Sequence, residues 1–177
     1  MKKNKVYGGI DPGAKGFIVV AKGEKDIACW PIPRIGKEYN HQEISKLFKY
    51  FSEEHEDIHF VLEGVNCDPR WGAKVNWSLG GCKEMLKQVL TDFKIPYTLV
   101  NPKAWQKEMW QGVTVQKKPS STGKTMVTDT KKTSEIAAMR LFPFVDFNVT
   151  DKLNKSKNKN DNLIDAVLMA EYCKRNF

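Results

Sequence analysis

Short runs of apolar residues, separated by turn-forming residues, dominate the first third of the chain. Three of them cover Val6 to Ile10, Phe17 to Ala21 and Ile27 to Pro31, and each predicts a β-strand. Because only short turns separate these strands, they are expected to form an antiparallel meander. Further strands are predicted over His59 to Val65 and over Tyr97 to Val100.

Apolar residues spaced as on one face of a helix occur between and after these strands. Asn40 is a candidate N-cap for the first helix, with Glu43 as its capping-box partner. Later helices are predicted over Ser78 to Lys94, Thr133 to Phe142 and Asp161 to Arg175. A meander followed by alternating helices and strands predicts an α/β fold, a five-stranded mixed sheet flanked by α-helices.

Length, composition and charge extend this picture. The chain length suits one domain that covers residues 1–177, and 41% hydrophobic residues suffice for a sizeable core. Residues 112–132 are polar, basic and rich in turn formers, which predicts a flexible basic loop. The formal net charge of +8 favours a polyanionic partner, most simply nucleic acid.

The cysteines and the N-terminal residues argue against several other classes of protein. Cys29, Cys67, Cys82 and Cys173 form no Cys-x-x-Cys pair and have no His cluster beside them, so neither a zinc site nor a disulfide framework is expected. The basic N-terminal residues are not followed by a long apolar run, which predicts neither a signal peptide nor a membrane span. The protein is therefore expected to work in the cytoplasm of a bacterial or phage-infected cell, with an organelle as the alternative.

Three acidic positions lie next to apolar residues. Asp11 ends the first strand at a Pro-Gly corner, Glu63 ends the fourth strand, and Asp165 shares an apolar helical face with Asp161 one turn earlier. Each has a plainer explanation, as a turn former, an edge charge or a helix cap. Carboxylates that converged on one sheet edge would repel one another unless cations neutralised them, which predicts a site for a hard divalent ion such as Mg²⁺.

These acidic segments resemble the motifs of a known family. The residues from Gly9 to Gly13, from Leu62 to Gly64 and from Asp161 to Ala170 are similar, in order and spacing, to those of the RuvC-like Holliday junction resolvases. This family of crossover junction endodeoxyribonucleases belongs to the ribonuclease H-like superfamily, and the chain looks closer to its divergent phage or organelle branch than to the typical bacterial enzyme. The resemblance covers nearly the whole chain.

The resemblance implies a fold, a reaction and an assembly. These are an RNase H-like fold, a symmetric homodimer, and nicking of branched DNA at paired symmetric positions that leaves 5′-phosphate and 3′-hydroxyl ends. Two Mg²⁺ ions, replaceable by Mn²⁺, are implied as cofactors, with no nucleotide cofactor and no membrane partner. The metal ligands that the resemblance implies are Asp11, Glu63, Asp161 and Asp165.

Two of the family's positions do not match plainly. Its fourth acid lies three residues before the last Asp, where this chain has Asn162, so the role is assigned to Asp161 on the same helical face. A family lysine that stabilises charge on the scissile phosphate matches the region of Lys131 and Lys132, and Lys132 is the catalytic candidate.

The surface that binds DNA is expected to consist of basic residues near the acids. The family's aromatic wedge residue is replaced by the segment Val65-Asn66-Cys67, so Trp71 or Trp77 is a candidate wedge, with core packing as the alternative. The helix from Ser78, which contains Gly80-Gly81, is the candidate dimer element. The candidates for DNA binding are Arg70, Trp71, Lys74, Lys103, Lys107, Lys117, Lys118, Lys124, Lys131 and Lys132.

Other functional classes explain less of the sequence. Actin-like ATPases share a Gly-Ile-Asp-x-Gly phosphate loop, but they need a second lobe and a second loop, for which this chain is too short. A non-enzymatic DNA-binding module explains the charge but not the acids beside apolar residues. Within the nuclease class, a non-specific branched-DNA nuclease or an RNA–DNA hybrid nuclease of the same fold remains an alternative.

Overall fold

Five strands form the central mixed sheet of the protein. The computed structural model describes residues 5–23, 25–64, 68, 69, 71–148 and 159–177. The strand order is β3-β2-β1-β6-β7, with β1 to β3 antiparallel and β6 and β7 parallel to β1. The strands of this sheet are β1 (Val6–Asp11), β2 (Phe17–Ala21), β3 (Ile27–Pro31), β6 (Ile58–Glu63) and β7 (Tyr97–Val100). The predicted meander and the predicted mixed sheet are both confirmed.

Five helices and two short hairpins complete the described part of the chain. One hairpin joins β4 (Arg34–Ile35) to β5 (Glu38–Tyr39), and the other joins β8 (Lys117–Pro119) to β9 (Met126–Thr128). The helices are α1 (His41–Glu54), α2 (Ala73–Asp92), α3 (Pro102–Met109), α4 (Thr130–Leu141) and α5 (Asp161–Asn176). None of these helices is long and apolar enough to cross a membrane.

Each face of the sheet has its own apolar cluster, because successive side chains of a strand point to opposite faces. Ile10 and Leu62 pack with α1 and α2 on one face, whereas Val19 and Val61 pack with α3, α4 and α5 on the other. The two clusters bury most of the strongly apolar residues, and α5 is covered along almost its whole length.

A glycine allows α5 to lie directly on β1. A Cβ atom at Gly9 would lie 2.1 Å from the carbonyl oxygen of Ala166 and 2.4 Å from the backbone nitrogen of Ala170. No side chain fits in that space, so glycine is required for this close approach of helix and strand. The approach places the first turns of α5 beside the carboxyl end of β1.

Several boundaries differ from those predicted. The second helix begins at Ala73 instead of Ser78. The sequence did not mark this start, because the first residues of the helix are exposed and Gly72 provides no side-chain cap. The predicted strand from His59 to Val65 instead covers Ile58–Glu63, so its extension to Gly64 is wrong, and Val65 lies outside the described residues. Asn40 caps α1 as predicted, but the Glu43 carboxylate binds Lys46 and does not complete a capping box.

The region predicted as a turn-rich loop, residues 112–132, contains regular structure. The β8–β9 hairpin occupies its centre, and α4 begins at Thr130 with Asp129 as its N-cap, three residues before the predicted start. Most residues of this hairpin are exposed and several are lysines, so no alternation of apolar and polar residues marks its strands. Among the described cysteines, Cys29, Cys82 and Cys173 are free thiols, as expected.

Candidate active site

Two of the predicted acids lie side by side at the carboxyl end of the sheet. Strands β1 and β6 run parallel, and their last paired residues are Ile10 and Leu62, so Asp11 and Glu63 occupy the next position of each strand. Because Ile10 and Leu62 point to the α1 and α2 face, the two following acids point to the face that α5 covers. Strand register and alternation therefore place both carboxylates beside α5.

The third acid comes from α5. Asn160 caps this helix, since its side-chain oxygen accepts from the backbone N–H groups of Asn162 and Leu163. Asp161 is therefore not the cap, and its Oδ2 accepts a hydrogen bond from Lys131 Nζ at 2.7 Å. Asp165 lies one turn further along, where the contact between α5 and β1 brings it close enough to Asp11 for their charges to interact.

Burial raises the pKa values of all three acids, and repulsion between the acids adds to the shift of Asp11 and Asp165. The pKa of Asp11 lies well above its ordinary value because the group is buried and because Glu63 and Asp165 are negatively charged. Burial and the charge of Glu63 raise the pKa of Asp165 to about 7, against a hydrogen bond from Ser134 that lowers it. Burial also raises the pKa of Glu63, and a hydrogen bond from Trp105 opposes this shift. A neighbouring cation would relieve this repulsion.

The donor set fits a hard divalent cation in its chemistry, since three carboxylates from separate elements supply only oxygen ligands. As the side chains are placed, no three His, Cys, Asp or Glu residues of the described chain are grouped tightly enough to hold one ion. The chemistry of the donor set thus suits the ion, whereas the carboxylates as placed do not form a closed ligand set.

Sequence analysis did not identify Trp105, which contacts one of the acids directly. Its indole Nε1 donates a hydrogen bond to Glu63 Oε1 at 3.0 Å, and the residue is fully buried. Trp105 lies on α3, an eight-residue helix that was not predicted. A local signal was present, because Asn101 followed by Pro102 is a typical helix start and Asn101 does cap this helix.

Ser134 and Trp110 were also missed. Ser134 is buried, lies near enough to Asp165 for its hydroxyl to lower the pKa of that carboxyl group, and accepts a hydrogen bond from Trp110 Nε1 at 3.2 Å. Nothing local distinguishes Ser134 from the other hydroxyl residues at the start of α4. Its partners come from two other segments of the chain.

The two candidate lysines have different partners. The Lys131 ammonium lies against Asp161, and the charges of Asp161 and Asp165 contribute to the raised pKa of Lys131. The Lys132 ammonium instead binds Glu135 at 2.9 Å. The structure thus places Lys131, and not the catalytic candidate Lys132, against Asp161. Both lysines border an open polar depression that also includes Lys118, Lys159 and Asp161.

The predicted DNA-binding residues lie in several places around this site. Trp71 and Lys74 are exposed at the start of α2, and Trp77 is 84% exposed, so the alternative of core packing for the two tryptophans is wrong. Lys103 and Lys107 are exposed on α3, and Arg70 lies outside the described residues. The exposed lysines of the hairpin are Lys117, Lys118 and Lys124.

The fold is similar to that of known junction-resolving proteins. The structure of Thermus thermophilus RuvC in complex with a Holliday junction matches with a TM-score of 0.55 and 11% identity, over 94% of this chain and 90% of that chain. A second T. thermophilus RuvC structure matches with a TM-score of 0.52 and 13% identity, over 93% and 90% of the two chains. The structure of the yeast mitochondrial Holliday junction resolvase Ydc2 matches with a TM-score of 0.49 and 14% identity, over 99% of this chain and 87% of that chain.

Comparisons of sequence find no such relatives. No family model matches the chain, and a search of curated proteins finds no significant match. At these low identities the structural matches establish the fold. The predicted RNase H-like α/β fold is confirmed, and the resemblance to RuvC-like resolvases is confirmed at the level of the fold.

Proposed function

We propose that this chain, whose fold is that of RuvC, is a structure-selective DNA endonuclease that resolves Holliday junctions or other branched DNA by paired symmetric nicks. The main support is the convergence of Asp11, Glu63 and Asp165 at one end of the sheet in a protein of net charge +8. A module that only bound DNA would gain nothing from buried acids that repel both one another and the phosphates.

The acids would form the metal site of this nuclease. Asp11, Glu63 and Asp165 would hold Mg²⁺, in our proposal two ions, with Mn²⁺ as a substitute and Asp161 as the fourth ligand. Bound there, Mg²⁺ would activate the attacking water and stabilise the leaving 3′ oxygen. Because Lys131 lies against Asp161, its ammonium is well placed to bind the scissile phosphate and to neutralise charge that develops there.

Basic residues around the acids would guide the DNA backbone into the site. Exposed lysines of α3 and of the β8–β9 hairpin lie on elements adjacent to α4 and α5, and they would bind phosphates without reading sequence. The hairpin is tied to α4, because the Gln116 backbone N–H donates to Thr133 Oγ1 and the Lys118 ammonium binds Asp129. Movement of this hairpin would therefore be coupled to the helix that carries Lys131.

Two nicks on opposite sides of a junction need two active sites, and we propose a homodimer that uses α2. The outward face of this helix exposes Val75 and Trp77, and a Cβ at Gly80 or Gly81 would meet no atom within 4 Å. A second copy of the chain could thus approach the α2 backbone closely. Trp71, exposed just before α2, would then lie near the junction centre as a candidate wedge.

Cleavage of defined substrates tests the proposed function. Synthetic four-way junctions, forks, flaps and RNA–DNA hybrids are incubated with the protein and Mg²⁺, and the nicked products are treated with ligase. We expect preferred, symmetric cleavage of the four-way junction with ends that ligase can seal, and loss of cleavage in Asp11→Asn. Binding of the junction without cleavage would favour the DNA-binding module, and preference for the hybrid would favour the alternative nuclease. Cleavage by Asp11→Asn at the wild-type rate would refute the assigned chemistry.

A further inference from the structure

Two tryptophan indoles of one short segment reach two different acids of the site. Trp105 Nε1 donates directly to Glu63 Oε1 at 3.0 Å. Trp110, five residues later, donates to Ser134 Oγ at 3.2 Å, and Ser134 in turn lies near enough to Asp165 for its hydroxyl to favour the ionised carboxylate. Both acids are therefore held by partners that have no role in the function proposed above.

The direction of each hydrogen bond is set by chemistry. An indole N–H can only donate, so Glu63 Oε1 must accept from Trp105, and Ser134 Oγ must accept from Trp110. The Ser134 hydroxyl proton is then available for the carboxylate of Asp165. Because Trp105 engages only Oε1 of Glu63, Oε2 can still bind a cation.

These partners are rigidly placed. Trp105 is fully buried with Met109 in the cluster beneath α5, and Ser134 is 1% exposed. Helix α3 contacts both α4 and α5. Trp105 on α3 donates a hydrogen bond to Glu63 of the sheet, and Trp110, the C-cap of α3, donates one to Ser134 of α4. A side chain locked by packing is an effective support for a metal ligand, because the orientation of the ligand then costs no further ordering when the ion binds.

We propose that Trp105, and Trp110 acting through Ser134, are positioning residues that hold the carboxylates of Glu63 and Asp165 in the orientations needed for divalent-ion binding. This inference rests on the proposed function, since it assigns to Glu63 and Asp165 the role of metal ligands. It extends that proposal to three residues of this chain that do not touch the ion. It also assigns a role to α3 and to the residue that caps its end, because Trp105 lies on the helix and Trp110 is its C-cap.

Matched substitutions separate positioning from general packing. Trp105→Phe removes the N–H donor and keeps an aromatic ring, and Ser134→Ala removes the hydroxyl. Trp30→Phe is the control for the first, because Trp30 packs against Phe51 in the cluster on the opposite face of the sheet. Ser52→Ala is the control for the second, because that hydroxyl donates to the Lys49 carbonyl on the surface of α1. Circular dichroism and thermal unfolding establish that each variant is folded.

The measurement is Mg²⁺ binding by calorimetry, together with the indole N–H resonances of protein that carries ¹⁵N-labelled tryptophan. Loss of such a supporting partner weakens metal affinity by about 10-fold or more. We expect that weakening in Trp105→Phe and in Ser134→Ala, and wild-type affinity in both controls. We also expect Mg²⁺ to shift the Trp105 and Trp110 resonances of the wild-type protein and to leave that of Trp30 in place.

The outcomes distinguish this inference from the proposed function. If the wild-type protein binds Mg²⁺ but folded Trp105→Phe and Ser134→Ala bind it equally well, the positioning inference fails and the proposed function stands. If Trp105→Phe and Ser134→Ala do not fold, the wild-type resonances decide. The inference then fails if the Trp105 and Trp110 indole resonances do not respond to bound Mg²⁺. If the wild-type protein binds no divalent ion, both proposals are wrong.

Discussion

Replacing Asp165 by asparagine should stabilise the metal-free protein at neutral pH while it removes the response to Mg²⁺. The pKa of Asp165 is raised from its ordinary value of 3.8 to about 7, because the group is buried beside the charge of Glu63. An acid whose pKa is raised in the folded state keeps its proton to a higher pH in the folded state than in the unfolded state. Its ionisation therefore lowers the free energy of unfolding as pH rises from about 4 to about 7, and the loss is complete above that.

The size of this effect follows from the shift. Three pKa units correspond to about 4 kcal/mol, at about 1.4 kcal/mol per unit. This is an upper limit, because Asp165 is only partly buried by surface area and because asparagine keeps a weaker hydrogen bond to Ser134. For a chain of this length, each kcal/mol raises the melting temperature by roughly 2–4 °C.

Thermal unfolding in chelator and in Mg²⁺, from about pH 4 to about pH 8, measures this difference. In chelator, Asp165→Asn should gain stability over the wild-type protein as pH rises, and the two should converge near pH 4. Mg²⁺ should raise the melting temperature of the wild-type protein by mass action and leave that of Asp165→Asn nearly unchanged.

Asp26→Asn, at an exposed position before β3, is the control and should follow the wild-type protein throughout. Comparison at each pH cancels the opposite contributions of surface acids with lowered pKa values, such as Asp129. A metal-free Asp165→Asn protein that is less stable than the wild-type protein at about pH 8 would refute the argument from burial and repulsion.

Three further predictions concern contact, charge and surface. Gly9→Ala would force α5 away from β1, which would lower the free energy of unfolding by about 1–3 kcal/mol and reduce the affinity for Mg²⁺. The control Gly23→Ala has open space around it and would change neither quantity. Thermal unfolding measures the stability, and calorimetry measures the affinity. Lys131→Met should lower the cleavage rate at saturating DNA by at least about tenfold, and Lys132→Met by less; equal losses would contradict the assignment of Lys131. The affinity for junction DNA should fall steeply as the salt concentration rises. Each hairpin lysine changed to alanine should make the slope of the log binding constant against log salt concentration shallower by about 1. An unchanged slope would exclude that lysine from the interface.

Local patterns were sufficient for the strands and for the three acids. Each of the five sheet strands is a short apolar run bounded by turn formers, and such a run retains its meaning without knowledge of distant residues. Each acid alone had a plainer explanation, and the acids were recognisable in combination, because several carboxylates beside apolar residues could converge on one sheet edge. Elements without apolar periodicity gave no such signal, which explains the missed β8–β9 hairpin and the late predicted start of α2.

The partners of the site residues depend instead on how distant elements pack. Trp105 and Glu63 are 42 residues apart, and Lys131 and Asp161 are 30 apart. Which of two adjacent lysines faces Asp161 depends on the rotation of α4 about its axis, and the packing of Ala137 and Ala138 under α5 fixes this rotation. The same packing brings Ser134 to Asp165.

The residue types and their order along the chain thus specify the strands and the acids that meet at one end of the sheet. The glycine at position 9 is part of that specification, but its purpose is visible only where the backbone of α5 fills the space of the missing side chain. The identity of the supporting groups and the choice of Lys131 are properties of the folded chain alone. Hydrophobic periodicity is encoded within a few residues, whereas a hydrogen bond between two helices requires both to be docked on the sheet.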